Sequence, residues 1–236
     1  MSEPQSVDDL STSTQNYLKA IWSLTEWSAD PVTASSVAKV TGLRMSSVSD
    51  AVRKLASQGL LTHAPYGSVE LTKQGRVFAI EMIRRHRLIE TFLVESLGYR
   101  WDQVHDEAEH LEHAVSDFMV ERLDEFLGYP TRDPHGDPIP SADGAVRNLD
   151  ARSLTEVGAG HRVVIERISD SDPELLKYFD KNGLVVGASL DVAEGAPFSE
   201  ALDIRLVGAT QPVSLGRSAT DALFVSPADA APTSSE

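Results

Sequence analysis

The segment of residues 33–71 constrains the fold most tightly, because two glycines divide it into pieces that can form only short elements. Thr33 can cap a helix that Gly42 ends, and a second helix follows and ends at Gly59. The rest of the segment reads as two short strands around a Pro-Tyr-Gly turn. With the amphipathic helix expected over residues 14–27, this order of elements predicts a winged helix-turn-helix.

Two longer helices are predicted after this segment. The first follows Gly75 and runs from Arg76 to about Leu97, and the second is capped by Asp102 and runs to about Leu127. An apolar stripe along the second helix predicts packing against partner helices, including those of a second copy of the chain. The stripe consists of Val104, Ala108, Leu111, Val115, Phe118, Met119 and Phe126.

The remainder of the chain predicts a small β domain. Residues 130–144 are rich in Pro, Gly and Asp, as is typical of a linker. Five short strands and one helical turn near residues 173–183 then predict a small β-barrel. The strands are expected at residues 161–168, 184–193, 201–208, 211–216 and 221–226.

The predicted fold class is therefore α+β. We expect a winged helix-turn-helix over residues 1–74, a helical metal-binding and dimerisation domain with its linker over 75–144, the barrel over 145–228, and a disordered tail over 229–236.

The distribution of charge favours one segment for contact with a polyanion. The chain as a whole carries a net charge of −15. Residues 33–87, however, hold nine basic and three acidic side chains, a net charge of +6, which leaves −21 on the rest of the chain. Such asymmetry is typical of a protein that contacts nucleic acid through one region.

Composition excludes several classes of protein. The chain has no cysteine, which excludes disulfides, thiolate metal ligands and thiol catalysis. The N-terminal residues contain no apolar signal core, and no stretch of about 18 apolar residues could span a membrane. We therefore expect a soluble, cytoplasmic protein without a membrane partner.

The stretch HDEAEHLEH at residues 105–113 concentrates three histidines and four carboxylates in nine residues. On a helix that advances about 100° per residue, His105, Glu109, Glu112 and His113 fall within an arc of roughly 100°. The arc borders the apolar stripe, where clustered acids repel one another unless a cation neutralises them. Imidazole and carboxylate ligands without sulfur suit a divalent ion such as Mn²⁺ or Fe²⁺.

The competing interpretation is a solvated helix face, on which pairs one turn apart each contribute a few tenths of a kcal/mol. A second such pair, His86 and Glu90, lies on the preceding helix. Spacing alone leaves both interpretations open.

Residues 84–117 resemble the metal-binding and dimerisation segment of the diphtheria-toxin-repressor family, the iron- and manganese-dependent bacterial repressors. The DPHGDPIP loop at residues 133–140 and the preceding helix-turn-helix fit the same family, so the resemblance covers about residues 10–140. The C-terminal region resembles the SH3-like domain of the longer members more loosely. The resemblance implies a homodimer, joined through the helices of residues 75–128, that binds a palindromic operator in double-stranded DNA.

The resemblance also implies two metal sites, a primary regulatory site and an ancillary site. In the longer members the ancillary site takes further ligands from the SH3-like domain. The matching residues are Glu109, Glu112 and His113 in the primary site, His86, Glu90 and His105 in the ancillary site, and Asp172 or Glu174 as its further ligand.

Two positions bear on the identity of the metal. At the position of Glu109 the iron-sensing members have a cysteine, and a carboxylate makes the site harder and better suited to Mn²⁺. Mn²⁺ is therefore the expected cofactor, with Fe²⁺ as the alternative, and other divalent transition metals are expected to bind in vitro. The family takes one more primary ligand from the first helix, usually Asp in manganese sensors and Met in iron sensors. Asn16 stands there in this chain, and because its amide oxygen brings no charge we expect weaker binding than an aspartate would give.

By the same resemblance, the second helix of the helix-turn-helix enters the major groove. Short hydroxyl side chains allow close approach and hydrogen bonds to phosphates or bases. Their competing role is structural, since Ser46 or Ser47 is expected to begin and cap this helix. The residues expected at the DNA are Ser46, Ser47, Ser49 and Asp50 in the groove, Lys54 at a phosphate, and Arg44, Arg53 and Lys73 as further phosphate contacts.

We expect a manganese-dependent repressor rather than an enzyme. A metal-dependent hydrolase would need an open coordination position and a cleft, and the chain has no HExxH motif. The remaining alternatives are an iron-responsive repressor and a metal-independent DNA-binding regulator whose barrel binds a ligand. The latter leaves the cluster at residues 105–113 unexplained.

Overall fold

The structure, a computed structural model, describes residues 4, 6–28, 30–63 and 67–228. The chain forms two compact units. The predicted disordered tail and Pro65 and Tyr66 of the predicted turn lie outside the described residues. No helix among the described residues is long and apolar enough to cross a membrane. The first unit comprises residues 1–86, 109–123 and 140–146, and the second comprises residues 87–108, 124–139 and 147–236.

The first unit contains the winged helix-turn-helix that the glycine pattern predicted. Its buried apolar side chains come from the inward faces of the helices and from the strand pair, as the helical spacing required. The two strands pair in antiparallel fashion, with Leu61 opposite Leu71. After a short 3-10 helix (Val7–Asp9), the elements are α1 (Thr12–Glu26), α2 (Ala34–Thr41), α3 (Met45–Ser57), β1 (Leu61–His63) and β2 (Val69–Leu71).

Local signals explain where α2 and α3 begin. The hydroxyl of Thr33 accepts a hydrogen bond from the amide of Ser36 and caps α2, as predicted. α3 begins earlier than expected, at Met45, and no side chain caps it. The expectation that Ser46 or Ser47 caps α3 was therefore wrong, because both lie within its first turn and are exposed.

α4 (Lys73–Leu97) begins before Gly75 rather than after it. The hydroxyl of Thr72 accepts a hydrogen bond from the amide of Gly75 at 3.1 Å and so starts the helix. A Cβ added to Gly75 would lie 2.1 Å from the carbonyl oxygen of Leu60. This glycine permits a close approach of backbone to backbone, and the prediction that the helix begins only after it, at Arg76, was wrong.

The single helix predicted to run to about Leu127 is also wrong, since the chain forms α5 (Val104–Leu111) and α6 (Asp117–Phe126) with a turn between them. Ser116 starts the new helix, because its hydroxyl accepts a hydrogen bond from the amide of Met119 at 3.3 Å. The sequence analysis missed this cap because the apolar stripe continues through the break.

The second unit contains a six-stranded antiparallel sheet that includes all five predicted strands. Within the described residues the edge strands of this sheet do not pair with each other, so the predicted closed barrel is an open sheet. The two edge strands are only two and three residues long, too short to close it. The strands are β3 (Arg152–Ser153), β4 (Arg162–Ile168), β5 (Ser189–Glu194), β6 (Leu202–Leu206), β7 (Val213–Leu215) and β8 (Leu223–Pro227), in the order β3-β8-β4-β5-β6-β7.

Three short helices accompany this sheet. α8 corresponds to the predicted helical turn, and it buries Leu176 and Phe179 in the core of the second unit. The other two helices are only four and five residues long, below the length that periodicity can detect. The helices are α7 (Leu154–Val157), α8 (Pro173–Lys181) and α9 (Arg217–Asp221).

The segment predicted as a linker contains a buried loop that is fixed to the sheet. Asp133 accepts a hydrogen bond from the amide of His135 at 2.8 Å, and the amide of Ile168 on β4 donates to the carbonyl of His135 at 2.9 Å. Gly136 has a φ of 91°, and a Cβ added there would lie 2.2 Å from the carbonyl oxygen of Glu166. Only glycine therefore fits both the backbone conformation and the space.

We expect Gly136→Ala to lower the free energy of unfolding by about 3 kcal/mol, since the new methyl group must displace backbone of β4. Gly160→Ala is the matched control, because Gly160 has the same φ of 91° with nothing within 4 Å of an added Cβ. Its loss should be about 1 kcal/mol. Chemical denaturation followed by circular dichroism measures both, and equal losses would show that the contact with Glu166 does not constrain the loop.

Candidate metal centres

In the first unit, a lysine lies between the predicted acidic ligands. Lys19, on α1, contacts the carboxylates of Glu109 and Glu112, the latter at 2.6 Å, and its Nζ lies 3.4 Å from Nδ1 of His86. The side chain of Glu112 is fully buried, and that of Lys19 is 11% exposed. The ammonium group is thus the cation that compensates the buried Glu112 and the partly exposed Glu109.

His86 is the second partner of Glu112. Its Nδ1 lies 2.5 Å from one carboxylate oxygen of Glu112 and 4.0 Å from the carboxylate of Glu109. Burial raises the pKa of Glu112, but the hydrogen bond from His86 and the charge of Lys19 outweigh burial and hold that pKa below the usual value of a glutamate. Glu112 is therefore an ionised carboxylate in a buried position.

Gln15 fixes the tautomer of His113. The side-chain NH₂ group of Gln15 donates to the carbonyl of Val7 at 2.8 Å, which leaves the amide oxygen to accept from Nδ1 of His113 at 2.6 Å. Burial lowers the pKa of His113 and favours its neutral form. Nε2 then carries the lone pair and faces a carboxylate oxygen of Glu112 at 3.6 Å. A neutral imidazole oriented in this way is prepared to be a metal ligand.

Asn16, the predicted ligand on α1, precedes Lys19 by three residues. Its side-chain oxygen is buried and has no hydrogen-bond partner among the described residues. A buried acceptor of this kind costs free energy unless it binds a donor or a cation. An amide oxygen is also a ligand that hard divalent cations accept.

The residues of the first unit fit a divalent cation. Ligand atoms of His86, Glu109 and Glu112 lie within 4.8 Å of one another, so one ion can contact all three. One imidazole nitrogen and two carboxylate oxygens suit Mn²⁺ or Fe²⁺. His86 was predicted to belong with Glu90 and His105, and since those residues lie in the second unit, that grouping stays a prediction.

In the second unit, His105 contacts two acids. Its Nδ1 lies 3.0 Å from Asp170 and 3.4 Å from Glu90. Burial alone would lower the pKa of His105, but Asp170 and Glu90 raise that pKa to about 11. Burial alone would raise the pKa of Asp170, but its hydrogen bond with His105 holds that pKa well below the usual value of an aspartate. The imidazole is thus the cation that compensates the two acids here.

The two predicted ligands from the sheet domain have other partners in the structure. Asp172 caps α8 by accepting hydrogen bonds from the amides of Glu174 and Leu175. The carboxylate of Glu174 accepts from Lys177 at 2.6 Å. Asp170, two residues earlier, is the acid that approaches His105. Asp170, rather than Asp172 or Glu174, is therefore the acid of this segment that contacts His105.

The predicted DNA-contacting side chains lie on the outside of the helix-turn-helix. α3 buries Val48, Val52 and Leu55 and turns its opposite face to solvent. Arg53 forms an exposed ion pair with Asp50 on that face. Ser49 is half-buried, and the exposed members of the predicted set are Arg44, Ser46, Ser47, Asp50, Arg53, Lys54 and Lys73.

The sequence analysis missed three residues of these centres, namely Lys19, Gln15 and Asp170. Lys19 had a signal, since a lysine between Leu18 and Ile21 on the apolar side of α1 must find a buried acid. Gln15 precedes it by four residues and therefore lies on the same side of the helix. Asp170 had no local signal, because only the fold brings it to His105.

Three family models match consecutive parts of the chain. Residues 9–69 match the model of the iron dependent repressor N-terminal DNA binding domain. Residues 72–141 match that of the iron dependent repressor metal binding and dimerisation domain. Residues 152–227 match the FeoA domain.

Similar proteins include both iron- and manganese-named repressors. The iron-dependent repressor IdeR of Mycobacterium leprae is 33% identical over 199 residues, which cover 79% of this chain and 86% of that protein. A solved structure of a manganese-dependent transcriptional repressor in complex with manganese is 47% identical, with a TM-score of 0.86 over 91% of this chain and 99% of that one. The structure of ScaR with bound Zn²⁺ is 31% identical, with a TM-score of 0.79 over 91% of this chain and 99% of that one.

We expect Lys19→Met to lower the free energy of unfolding by roughly 3 kcal/mol in buffer with a chelator, because it leaves Glu112 buried without its ammonium partner. Adding Mn²⁺ should raise the melting temperature of this variant more than that of the wild type. The exposed Lys39 supplies the control, Lys39→Met, which should leave both quantities unchanged. Scanning calorimetry with and without Mn²⁺ measures them, and a wild-type melting temperature in Lys19→Met would contradict the compensation described here.

The contact between His105 and Asp170 also predicts a dependence on pH. A histidine whose pKa is raised to about 11 stabilises the folded chain fully below its unfolded pKa of about 6.5 and loses that effect as the pH rises toward about 11. In chelator, the melting temperature of the wild type should exceed that of Asp170→Asn most at about pH 6, with a difference that shrinks up to about pH 10.

Asp150→Asn, at an exposed acid of the same unit, serves as the control for this pH series. It should melt like the wild type at every pH. A difference between wild type and Asp170→Asn that does not change with pH would show that Asp170 does not hold the proton on His105.

Proposed function

The chain belongs to the family of iron-dependent repressors, DNA-binding transcriptional repressors that depend on a metal, and we propose that its own metal is manganese. The observation that carries this proposal is the ligand chemistry of Glu109, Glu112 and His86, which offers oxygen and imidazole nitrogen. The chain has no cysteine to supply the softer thiolate that Fe²⁺ or Zn²⁺ can exploit. The 47% identity to a manganese-dependent repressor supports the same metal, while the relatives named for iron make Fe²⁺ the competing candidate.

For the primary site we propose Glu109, Glu112 and His113 as ligands, together with Asn16. His86 joins this set through its contact with Glu112. When bound, a divalent cation would neutralise the two carboxylates and replace the ammonium of Lys19 as their partner.

For the ancillary site we propose Glu90 and His105, with Asp170 in place of Asp172 or Glu174. Support comes from the distances of His105 to Glu90 and Asp170, and from the other roles that Asp172 and Glu174 have. His105 must give up a proton before it can ligate, so binding there would release a proton.

α1 is the element that would couple the primary site to DNA. Its Gln15 contacts His113 and its Lys19 contacts Glu109, and its apolar side packs in the same core as α3. If a bound metal replaced Lys19 as the partner of the two glutamates and took a ligand from α1, the contacts between α1 and residues 109–113 would change. A 100-fold preference of metal for the DNA-competent form corresponds to about 2.7 kcal/mol of coupling.

We propose a homodimer that binds a palindromic operator through two copies of α3 and acts in the cytoplasm, where the operator lies. The dimer would form through the helices of residues 75–128, since the side chains of Phe118 and Phe126 on α6 are 70% and 69% exposed. We propose residues 1–74 for DNA reading, 75–144 for metal and dimerisation, and 145–228 as the accessory sheet domain.

A mobility-shift titration tests this function. In the wild type, raising free Mn²⁺ at fixed salt should tighten operator binding about 100-fold, equivalent to about 2.7 kcal/mol. Glu109→Ala should abolish this gain while leaving the weak binding without metal unchanged. Glu107→Ala, at an exposed acid on the same helix, should behave as the wild type.

Parallel titrations with Fe²⁺ and Zn²⁺ decide the identity of the metal. A greater gain with Fe²⁺ than with Mn²⁺ at equal free concentration would overturn manganese in favour of iron. Equal Mn²⁺ dependence in Glu109→Ala and the wild type would overturn the proposed site.

A further inference from the structure

Arg85, on α4, is a buried arginine that neither proposed metal site uses. Its side chain is 1% exposed, whereas those of its three acidic partners, Asp8, Glu81 and Asp117, are 52%, 31% and 63% exposed. A guanidinium group keeps its charge inside a protein, so its burial costs free energy that its partners must offset. The positions of these partners indicate what the buried charge achieves.

The guanidinium group uses every N–H of its two terminal nitrogens. Nη1 donates to Asp8 at 2.8 Å and to the carbonyl of Val115 at 3.2 Å. Nη2 donates to Glu81 at 2.9 Å and to Asp117 at 2.5 Å. Because the group is planar and its donors have fixed directions, these four bonds set the positions of the partners relative to one another.

The bonds of Arg85 join two segments that are distant in sequence. Asp8 belongs to the short 3-10 helix near the start of the chain, while Val115 and Asp117 follow His113 and lead into α6. All of these residues lie in the first unit. Arg85 therefore holds, from α4, both the 3-10 helix and the chain that directly follows a proposed metal ligand.

The 3-10 helix is connected to His113 through Gln15. The NH₂ group of Gln15 donates to the carbonyl of Val7 at 2.8 Å and lies 3.4 Å from that of Leu10, directly after the same helix. Its amide oxygen accepts from Nδ1 of His113 at 2.6 Å. If the Val7 carbonyl moved, the amide could turn over and offer His113 a donor instead of an acceptor. The position of that carbonyl therefore decides which nitrogen of His113 carries the lone pair.

Two contacts attach the 3-10 helix to the rest of the unit, the burial of Val7 and the ion pair of Asp8. The side chain of Val7 has no exposed surface, but burial of an apolar group is not directional. A hydrogen bond between charged groups is directional and about twice as strong as one between neutral groups. The capping box of Ser6 and Asp9 stabilises the helix internally. The ion pair of Asp8 is thus the contact that orients this backbone.

We propose that Arg85 is a positioning residue of the primary metal site. It acts indirectly, because its bond to Asp8 fixes the Val7 carbonyl, and that carbonyl fixes the amide of Gln15. The amide then holds the proton of His113 on Nδ1 and leaves Nε2 free to ligate. Partners that orient a ligating histidine change metal affinity about 10- to 100-fold. The proposal rests on the proposed function, since His113 is a ligand only in the site proposed there.

The first test is the tautomer of His113 in the full chain without metal. The nitrogen-15 shifts of its ring are measured by NMR in chelator at about pH 8, above the usual histidine pKa of about 6.5. Comparison with His113→Gln identifies its signals. In the wild type the proton should reside on Nδ1. Asp8→Asn keeps the shape of a half-exposed side chain and removes its charge, so the tautomer protonated on Nε2 should appear.

Three further variants control this measurement. Asp8→Glu keeps the charge and should show the wild-type tautomer, as should Asp30→Asn at an exposed acid of the same unit. Arg85→Lys keeps the charge but loses the planar fork, so it should resemble Asp8→Asn. If circular dichroism shows that Arg85→Lys does not fold, Asp8→Asn decides alone. A wild-type tautomer in folded Asp8→Asn would overturn the proposal.

The second test shows whether the effect passes through Gln15 or is only one of stability. Asp8→Asn should weaken Mn²⁺ binding, measured by calorimetry, about tenfold. In Gln15→Met, which already lacks the amide, Asp8→Asn should cause no further loss. Equal losses in both backgrounds would show that Asp8 stabilises the fold without orienting His113, which contradicts the proposal.

The two readouts also separate this proposal from the proposed function. If Asp8→Asn changes the tautomer of His113 but the wild type binds no Mn²⁺, the orientation of His113 by Arg85 stands and the manganese function is wrong. If the wild type binds Mn²⁺, and Asp8→Asn matches it in both tautomer and affinity, the manganese function stands and the role proposed for Arg85 is wrong.

Discussion

The side chain of Glu112 has no exposed surface, and an ionised carboxylate in that position must be matched by positive charge inside the protein. Lys19 from α1 provides that charge, and His86 from α4 lies 2.5 Å from the same carboxylate. The pairing therefore does more than compensate a charge. It determines which side of α1 faces residues 109–113. Gln15 lies on that side of α1, and its amide oxygen accepts a hydrogen bond from His113 and so fixes the orientation of that ring. The geometry of the first unit's centre follows from this single buried acid.

The part of the candidate site that could be predicted from the sequence consists of residues about one helical turn apart. Glu109 and Glu112 were predicted to meet on one helix face, and they do share a partner in Lys19, although the helix ends at Leu111. The prediction survives the break because a turn after the last helical residue keeps Glu112 close to Glu109. The partners of Lys19 and Asp170 could not be predicted from local spacing, because Lys19 is 93 positions from Glu112 and Asp170 is 65 positions from His105.

In the fold, too, features set by neighbouring residues could be predicted from the sequence, and features set by contacts between distant segments could not. Thr33 and Gly42 predicted the limits of α2 because a cap and a left-handed residue act within one turn. Gly75 and Gly136 did not predict the local structure correctly. Each permits a close approach between two backbone segments, Gly75 to Leu60 and Gly136 to Glu166. A glycine that serves a turn and one that serves a close approach look identical in sequence. For the same reason the loop around Gly136 was predicted to be a linker, although it is buried against β4.

Internal cations bear directly on how such a protein responds to metal. In the proposed sites, Lys19 would have to leave Glu109 and Glu112, and His105 would have to lose the proton that pairs it with Asp170 and Glu90, before these acids could bind a metal. The free energy of metal binding at each proposed centre would therefore be the difference between compensating the acids with the metal and compensating them with Lys19 or His105. Each 1.4 kcal/mol of that difference changes the metal affinity tenfold. Asn16, the ligand proposed on α1, would bring no charge, so it would not enlarge this difference electrostatically. A centre of the proposed kind would keep its acids paired with these internal cations when metal is scarce, and it would bind metal only at concentrations high enough to outweigh them.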